Sequence, residues 1–538
     1  MSASSKKKLR KELNAAAMTE KQLQEQKETK KLRLYTGLFA AAIAVMILVV
    51  IVSRVFSSGI LPRTATALTV GGTKVSAAEL NHYYIDAVNN FLDQAGDMVS
   101  LFGLDTTKAL DEQFYNEDEG DTWADYFLDQ ATATAQNMYA VYNAAKADGF
   151  TLSEEAAASI DATVQNLQLY ATMYSFPSAD AYITAMYGEG CNEKTFREYA
   201  EVQMTAQEYA MAKNESLVYD EAALREAEAE NPNEFSSFSY CYYYMANTKF
   251  YEGGTENEDG TTAYSDEEME AGRAACEAAA NTLAAATNEE ELDAAIAALP
   301  INAEVENAKA THAHDTLYTN VPAAIREWVT AAERKADDIS VIPSTYTNED
   351  GEQAVSGYYV VLFEGKDDNL TQLVNVRHIL VGFEGGTIDE TTGTTTYSDE
   401  EKAKAKTEAE EILASFTAGE ATEEAFAALA NEKSDDGDGT TGGLYENVYP
   451  GQMVTNFNNW CFDSARKAGE TAIVETEYGY HVMYFVGNSD MTYRDFMIEN
   501  TLRSEAMSEW ETGLIEAAEL VVKNTKYVKT DLMLSSNQ

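Results

Sequence analysis

Residues 251–283, YEGGTENEDGTTAYSDEEMEAGRAACEAAANTL, and residues 383–416, FEGGTIDETTGTTTYSDEEKAKAKTEAEEILASF, follow one plan. Each passes from an E-G-G turn through a polar loop into Y-S-D-E-E. Ser265 and Ser398 each stand three positions before a glutamate, Glu268 and Glu401, the capping-box signature of a helix start. Ala405, Ala409, Ile412, Leu413 and Phe416 give the second of these helices an apolar face. The likeness resumes downstream. VPAAIREWVTAAERKADDISVI at 321–342 and GYYVVLF at 357–363 answer to MVTNFNNWCFDSARKAGETAIV at 453–474 and GYHVMYF at 479–485. A repeat this long, in one order, implies two copies of one βα-rich module, and two units are too few for a solenoid. The expected fold class is α+β, with tandem modules at 235–365 and 372–488.

Ahead of the repeat, Leu34 to Ser53 contains no charged residue. As a helix this run would span about 30 Å, the thickness of a bilayer core. Residues 1–33 are basic and the chain after Arg63 is strongly acidic, so the positive-inside bias puts residues 1–33 in the cytoplasm and the body outside. A cleaved signal peptide would carry a shorter apolar core, so an uncleaved single-pass anchor over 34–56 is expected. The expected location is the cell membrane, with the bulk of the chain extracytoplasmic.

The formal charge is −52 over 538 residues. Such a surface repels nucleic acid, and DNA and RNA partners are excluded on that ground. Solubility and recruitment of basic clients both account for the acidity. Cys191, Cys241, Cys276 and Cys461 are widely spaced and form no C-x-x-C pair. They are expected as buried free thiols, with neither a disulfide framework nor a cysteine metal cluster.

Residues 65–232 read as a helix-rich domain. LTVGGTKV at 68–75 is a strand broken by a Gly-Gly turn, and Ser76 with Glu79 caps the helix that follows. Further helices are expected over 121–148, 153–173, 178–188 and 194–229. Met138, Tyr139, Tyr142, Tyr170, Met173, Tyr174, Tyr182 and Met186 serve either as core or as an adaptable apolar cradle for unfolded chains. A strand, a Gly turn and a long capped helix just after an anchor resemble the chaperone domain of SurA/PrsA-type foldases.

Chemistry is concentrated in the second copy. The strand VNVRHILV, 374–381, carries His378. A helical stretch, TEEAFAALANEKS, and a polar turn, DDGDGTTGG, lead to GQMVTNFNNWCF and then to KAGETAIVETEYGYHVMYF, which carries His481. The R-H-I-L-V strand, the F-x-x-L-A helix, the S-D-D and G-G turns, the G-Q-M-x-x-x-F segment and the G-Y-H strand occur in one order. In that order they resemble the parvulin family of peptidyl-prolyl cis/trans isomerases.

The resemblance implies catalytic roles for His378, Asp436 and His481. It implies a proline pocket of Met453 and Phe457, with Leu444 as a looser match and Thr476 as a supporting hydroxyl. It implies no metal and no cofactor, because isomerisation needs only a site that binds the twisted bond better than either planar isomer. The histidines have a plainer reading as a structural core pair, and Met453 and Phe457 as ordinary core. The run DDGDG lacks the spacing and closing glutamate of an EF-hand.

The loop after His378, VGFEGGTIDE, has acidic residues and no Lys or Arg, which disfavours phosphoserine-proline substrates. The first copy has no histidine in FSYCYYYMANTKF, and Tyr359 stands where the second has His481. That copy is expected to be degenerate and inactive, a spacer, dimer surface or client platform, with His312 and His314 in a surface loop. Residues 489–538 contain a helical pattern over 490–522, with Leu502, Ala506, Trp510 and Leu514 at spacing four. In PrsA-like foldases such a helix returns to the chaperone domain. The expected activity is isomerisation of X-Pro bonds in newly exported polypeptides, possible as a homodimer. The alternative is a non-catalytic membrane-anchored holdase or scaffold.

Overall fold

A computed structural model of the chain describes residues 4–8, 43, 45–47, 49, 58–257, 260–348, 351–389, 393–437 and 439–532. The expected anchor at 34–56 lies almost wholly outside the described residues. Among the described residues, no helix is long and apolar enough to cross a membrane. The chain divides into two compact units, Met1–Val218 with Glu505–Gln538, and Tyr219–Ser504.

The first unit opens with β1 (Thr66–Val70) and β2 (Thr73–Ser76), joined through the expected turn at Gly71 and Gly72. The capping box of Ser76 and Glu79 starts α1 (Ala77–Ala95). Helices α2 (Trp123–Ala147), α3 (Glu154–Met173), α4 (Ala179–Tyr187) and α5 (Glu193–Glu215) follow. Leu80, Tyr84 and Val88 of α1 meet Trp123 and Phe127 of α2 in the core. The chain end closes the sheet, because Leu520–Val522 pairs antiparallel with β1, Leu68 opposite Val522. The tail is thus a helix, Tyr493–Ala517, and then a strand, where a helix to 522 was expected. Val521 and Val522 are β-branched and suit that edge.

The eight residues singled out in this region part into two sets. Tyr139 is buried, and Met138 and Tyr142 pack against the core. Tyr170, Met173, Tyr174 and Met186 are exposed, beside Leu169. Tyr182 is half-buried and stacks with Tyr174.

The second unit begins with α6 (Glu221–Glu230). The expected single helix over 194–229 is two, because Asp220 caps α6 by accepting from the Ala223 amide and breaks the run. The first module contains β3 (Ser237–Ala246), α7 (Asp266–Leu283), α8 (Glu289–Ala297), β4 (Thr311–Leu317), α9 (Ala323–Val329), β5 (Ile339–Thr347) and β6 (Gln353–Asp367). The second contains β7 (Gln372–Gly382), α10 (Asp399–Ala418), α11 (Glu423–Lys433), β8 (Leu444–Val448), α12 (Thr455–Cys461), β9 (Thr471–Glu475) and β10 (Gly479–Thr492). The sheet orders are β4-β3-β6-β5 and β8-β7-β10-β9, one topology twice.

Each sheet has a helix pair on one face and a short helix on the other. Leu283 of α7 and Leu292 of α8 cover one face of the first sheet, and Ile325 of α9 the other. Ile412 of α10 and Phe426 of α11 cover the corresponding face of the second, and Phe457 of α12 its opposite. The repeated E-G-G and Y-S-D-E-E motifs bind each other. Glu268 caps Ser265 and also accepts from the Gly254 amide at 3.0 Å, and Glu401 does the same for Ser398 and the Gly386 amide at 2.8 Å. One carboxylate therefore fixes both the helix start and the loop before it. His312 and His314, expected in a surface loop, lie on β4, where His312 pairs opposite Cys241 of β3.

Candidate active site

His378 and His481 sit on the central strands β7 and β10. The register puts His378 opposite Met483 and Leu380 opposite His481, so the two imidazoles are diagonal neighbours on the face covered by α12. Their Nδ1 atoms are 3.1 Å apart. Both side chains are buried, with His378 3% and His481 6% exposed.

The flanking turns hold this pair by backbone contact. The Ser434 hydroxyl accepts from the Leu380 and Asp436 amides, and Asp435 accepts from the Gly382 amide at 2.8 Å. The S-D-D turn therefore grips β7 and leaves Asp436 free to face His378. Gly443, at φ 65°, accepts from the His378 amide, and a Cβ there would stand 2.1 Å from the His378 carbonyl oxygen. Only glycine fits that approach. After β9 the chain turns at Thr476, whose amide donates to the Gly479 carbonyl.

The polar atoms form one continuous chain. His378 Nε2 is 3.1 Å from Asp436 Oδ2, and Thr476 Oγ1 is 2.9 Å from His481 Nε2. The Tyr445 hydroxyl donates to Asp436 Oδ2 at 2.9 Å, and the Tyr478 amide donates to Thr476 Oγ1 at 3.2 Å. An ionised Asp436 selects the direction of the chain. His378 donates from Nε2 to the carboxylate, so its Nδ1 accepts from His481, whose Nε2 accepts from Thr476. Each imidazole is then neutral with both nitrogens satisfied. Burial pushes His378 below the usual imidazole range, against the pull of Asp436. Burial, and then the neighbouring His378, bring His481 down to about 4. Burial and the bond to Asp436 push Tyr445 up to about 12.

Phe457, on α12, lies edge-on to both imidazoles, with ring centroids 5.5 and 5.3 Å away. Met453, just before α12, packs into the same apolar cluster. His378, His481, Asp436, Thr476 and Phe457 thus converge, with Met453 beside them.

Leu444 does not join them. It pairs opposite Arg377, one residue out of phase with His378, so it belongs to the other face of the sheet. Its neighbour Tyr445, opposite Val376, stacks on His378 at 4.9 Å. Tyr445 is the residue the motif reading missed. Its aromatic character two residues after the G-G turn was the available signal.

A family model described as a PPIC-type PPIASE domain matches residues 358–488. No curated protein matches the chain. Among solved structures, the chain is similar to the peptidylprolyl isomerase PrsA of Bacillus anthracis, at 22% identity over 28% of this chain and 59% of that one, with a TM-score of 0.18. It is similar to PrsA of Bacillus subtilis, at 23% identity over 29% and 54%, with a TM-score of 0.19. It is also similar to a SurA-like chaperone of Campylobacter jejuni, at 24% identity over 28% and 57%, with a TM-score of 0.16. The chain thus spans less than two thirds of each of these three proteins. The family assignment rests on the match at 358–488.

Proposed function

The chain carries a parvulin-type peptidyl-prolyl isomerase domain, and from that premise we propose that it is a membrane-tethered foldase that isomerises X-Pro bonds in exported polypeptides. The reading is carried by the one-way hydrogen-bond chain from Thr476 through His481 and His378 to Asp436, laid beside an apolar wall.

The X-Pro amide has partial double-bond character, and its rotation takes tens to hundreds of seconds at about 25 °C. A proline ring held against Phe457 and Met453 leaves water. Its carbonyl then loses the hydrogen bonds that favour the planar, charge-separated form. The carboxylate of Asp436, held by Tyr445 and His378, discourages that polarised form further. The neutral histidines fix the floor of the site and keep Asp436 aimed. No bond to the enzyme forms, so catalysis comes from binding the twisted state.

The anchor reading rests on the uncharged run 34–53 and its basic flank. A chaperone contribution from the first unit rests on the exposed set Leu169, Tyr170, Met173 and Tyr174, which offers adaptable apolar surface to an unfolded chain. The non-catalytic alternative draws on one observation, that the Tyr445 ring already lies over His378.

A protease-coupled proline-peptide assay on the full chain in detergent tests the reading. The wild type accelerates isomerisation, Asp436→Asn lowers kcat/KM on the order of 10- to 100-fold, and Tyr445→Ala lowers it less. A wild-type chain with no acceleration, or an Asp436→Asn chain equal to wild type, leaves only the scaffold.

A further inference from the structure

The helix-facing side of the two sheets carries a second contrast. With GYYVVLF at 357–363 set on GYHVMYF at 479–485, Leu362 takes the place of Tyr484 and Glu364 that of Val486. Cys241 pairs opposite Leu362 as Arg377 pairs opposite Tyr484, so Cys241 occupies the register position of Arg377. His312 lies opposite Cys241 as Leu444 lies opposite Arg377. Glu289 and Glu423 are each the first residue of the second helix after its cap.

In the second module this place is filled by the chain's own cation. Arg377 Nε is 3.0 Å from Glu423 Oε1, and Nη1 donates to the Thr441 and Gly442 carbonyls at 3.1 and 3.0 Å. In the first module the cation is gone, the glutamate remains, and Asp293 and Glu364 are added. Among the described residues, no lysine or arginine pairs with Glu289, Asp293 or Glu364. Their ionic partners are histidines, and Asp293 Oδ1 also accepts from the Ala310 amide at 2.8 Å. His312 Nδ1 is 3.3 Å from Glu289 and its Nε2 3.5 Å from Asp293, while His314 Nδ1 is 3.3 Å from Glu364.

The donors converge. Ligand atoms of Cys241, His312 and Glu364 lie within 4.8 Å of one another, as do those of Glu289, Asp293 and His312. Cys241 is wholly buried, and Glu364 Oε1 is buried without a hydrogen bond of good geometry. A divalent cation relieves all of these at once, since it neutralises the acids and takes the thiol as thiolate.

We propose that the first module binds zinc between Cys241 Sγ, His312 and Glu364, with α8 supplying the remaining donor from Asp293 or Glu289. A thiolate, an imidazole and carboxylates are a zinc donor set. Tetrahedral zinc with bonds of about 2.0–2.3 Å sets its ligand atoms roughly 3.3–3.8 Å apart, so Cys241, His312 and Glu364 close on one another by at most about 1.5 Å. The ion takes the place of the Arg377 guanidinium and ties β3, β4, β6 and α8 together. The first module, without the histidine pair, thereby becomes a metal-dependent scaffold.

The test uses the full chain, stripped with chelator, dialysed against zinc, and assayed for metal per chain. Cobalt in place of zinc reports thiolate ligation through its sulfur-to-metal charge-transfer band. About one ion per chain is expected, with a cobalt–thiolate band that Cys241→Ser abolishes and Cys461→Ser leaves intact. His312→Gln and the nearly isosteric Glu364→Gln weaken zinc binding at least about tenfold, judged on variants whose near-ultraviolet circular dichroism matches wild type. Zinc raises the melting temperature of wild type and not that of Glu364→Gln. No retained ion, or retention undiminished in His312→Gln and Glu364→Gln, overturns the proposal. Metal held instead at His378 and His481 would show as binding insensitive to all three first-module variants, and overturns it equally.

Discussion

The two modules of the second unit share sheet order, helix placement and the carboxylate latch between turn and helix, and they differ in what each face of the sheet holds. On the α12 face the second module has His378 and His481. The first has Tyr242 and Tyr359 at the matching register, with ring centroids 6.0 Å apart. On the helix face the second has the Arg377–Glu423 ion pair and the first an acid–histidine–thiol cluster. What the duplication kept is what folds the module, namely caps, turns and strand order. What it released is any side chain whose neighbours could be exchanged along with it.

The largest difference expected from this contrast is in pH dependence. His481 has a native value of about 4 and an ordinary unfolded value of about 6.5. Between those values the unfolded chain takes up a proton that the native chain refuses. Stability is therefore complete above about 6.5, falls as the pH drops through this window, and is lower by about 3 kcal/mol at its bottom. His378, shifted in the same direction, adds to the loss. Tyr359, which stands in the place of His481 in the first module, is pushed by burial above the usual phenol range, away from this window. His82, buried in the first unit and held down to about 3, gives a separate loss of the same sign. Denaturant unfolding of wild type and His481→Asn at pH 7 and pH 4.5 isolates the His481 part. A wild-type loss no greater than the variant's would show that the pair carries no such proton linkage.

The reach of the sequence follows the same division. The capping boxes, the Gly-Gly turn and the duplication were legible because each is a short-range pattern with a local cause. His378, His481, Asp436 and Phe457 were legible because each lies in a motif whose order the family resemblance supplied. Leu444 was misassigned because a strand's facing is set by register. The G-G-L-Y run does not say which of two neighbours starts in phase with His378. His312 and His314 were put in a loop because T-H-A-H-D-T-L lacks the β-branched run of a strand, and its pairing with β3 comes from tertiary structure. The cluster around Cys241 was invisible for a stronger reason. Its proposed ligands come from three strands and a helix and share no spacing, so the cysteine spacing led to an expectation of buried free thiols and no metal cluster.

A smaller effect is expected at the place where Arg377 and Cys241 correspond. Arg377→Met keeps the apolar stem but leaves Glu423 and the Thr441 and Gly442 carbonyls without their donor, a cost of about 2 kcal/mol. Cys241→Ala in metal-free protein removes one buried sulfur and costs about 1 kcal/mol. With zinc present the gap between the two should narrow, because the thiol then holds an ion as Arg377 holds Glu423. Chemical denaturation of both variants, with chelator and with zinc, measures it. A Cys241→Ala cost that zinc leaves unchanged separates the two sites energetically.

The smallest expected effect tests what the copies have in common. Ser265 and Ser398 each accept from the amide three residues on, and each is bridged by a glutamate that also holds a glycine amide in the preceding turn. Removing either hydroxyl leaves the glutamate's two amide contacts in place and takes away one helix-end acceptor together with the hydroxyl's own bond to that glutamate. Ser265→Ala and Ser398→Ala should therefore each cost about 1 kcal/mol, and by nearly the same amount. Equality is the informative outcome, because the latch is exposed in both copies and owes nothing to the histidines on one sheet or the acids on the other. If Ser398→Ala costs clearly more, the latch in the second module is coupled to β7 and the strand that carries His378. In that case the cap belongs to the machinery that positions the site, and the division between shared scaffold and separate chemistry fails at its first turn.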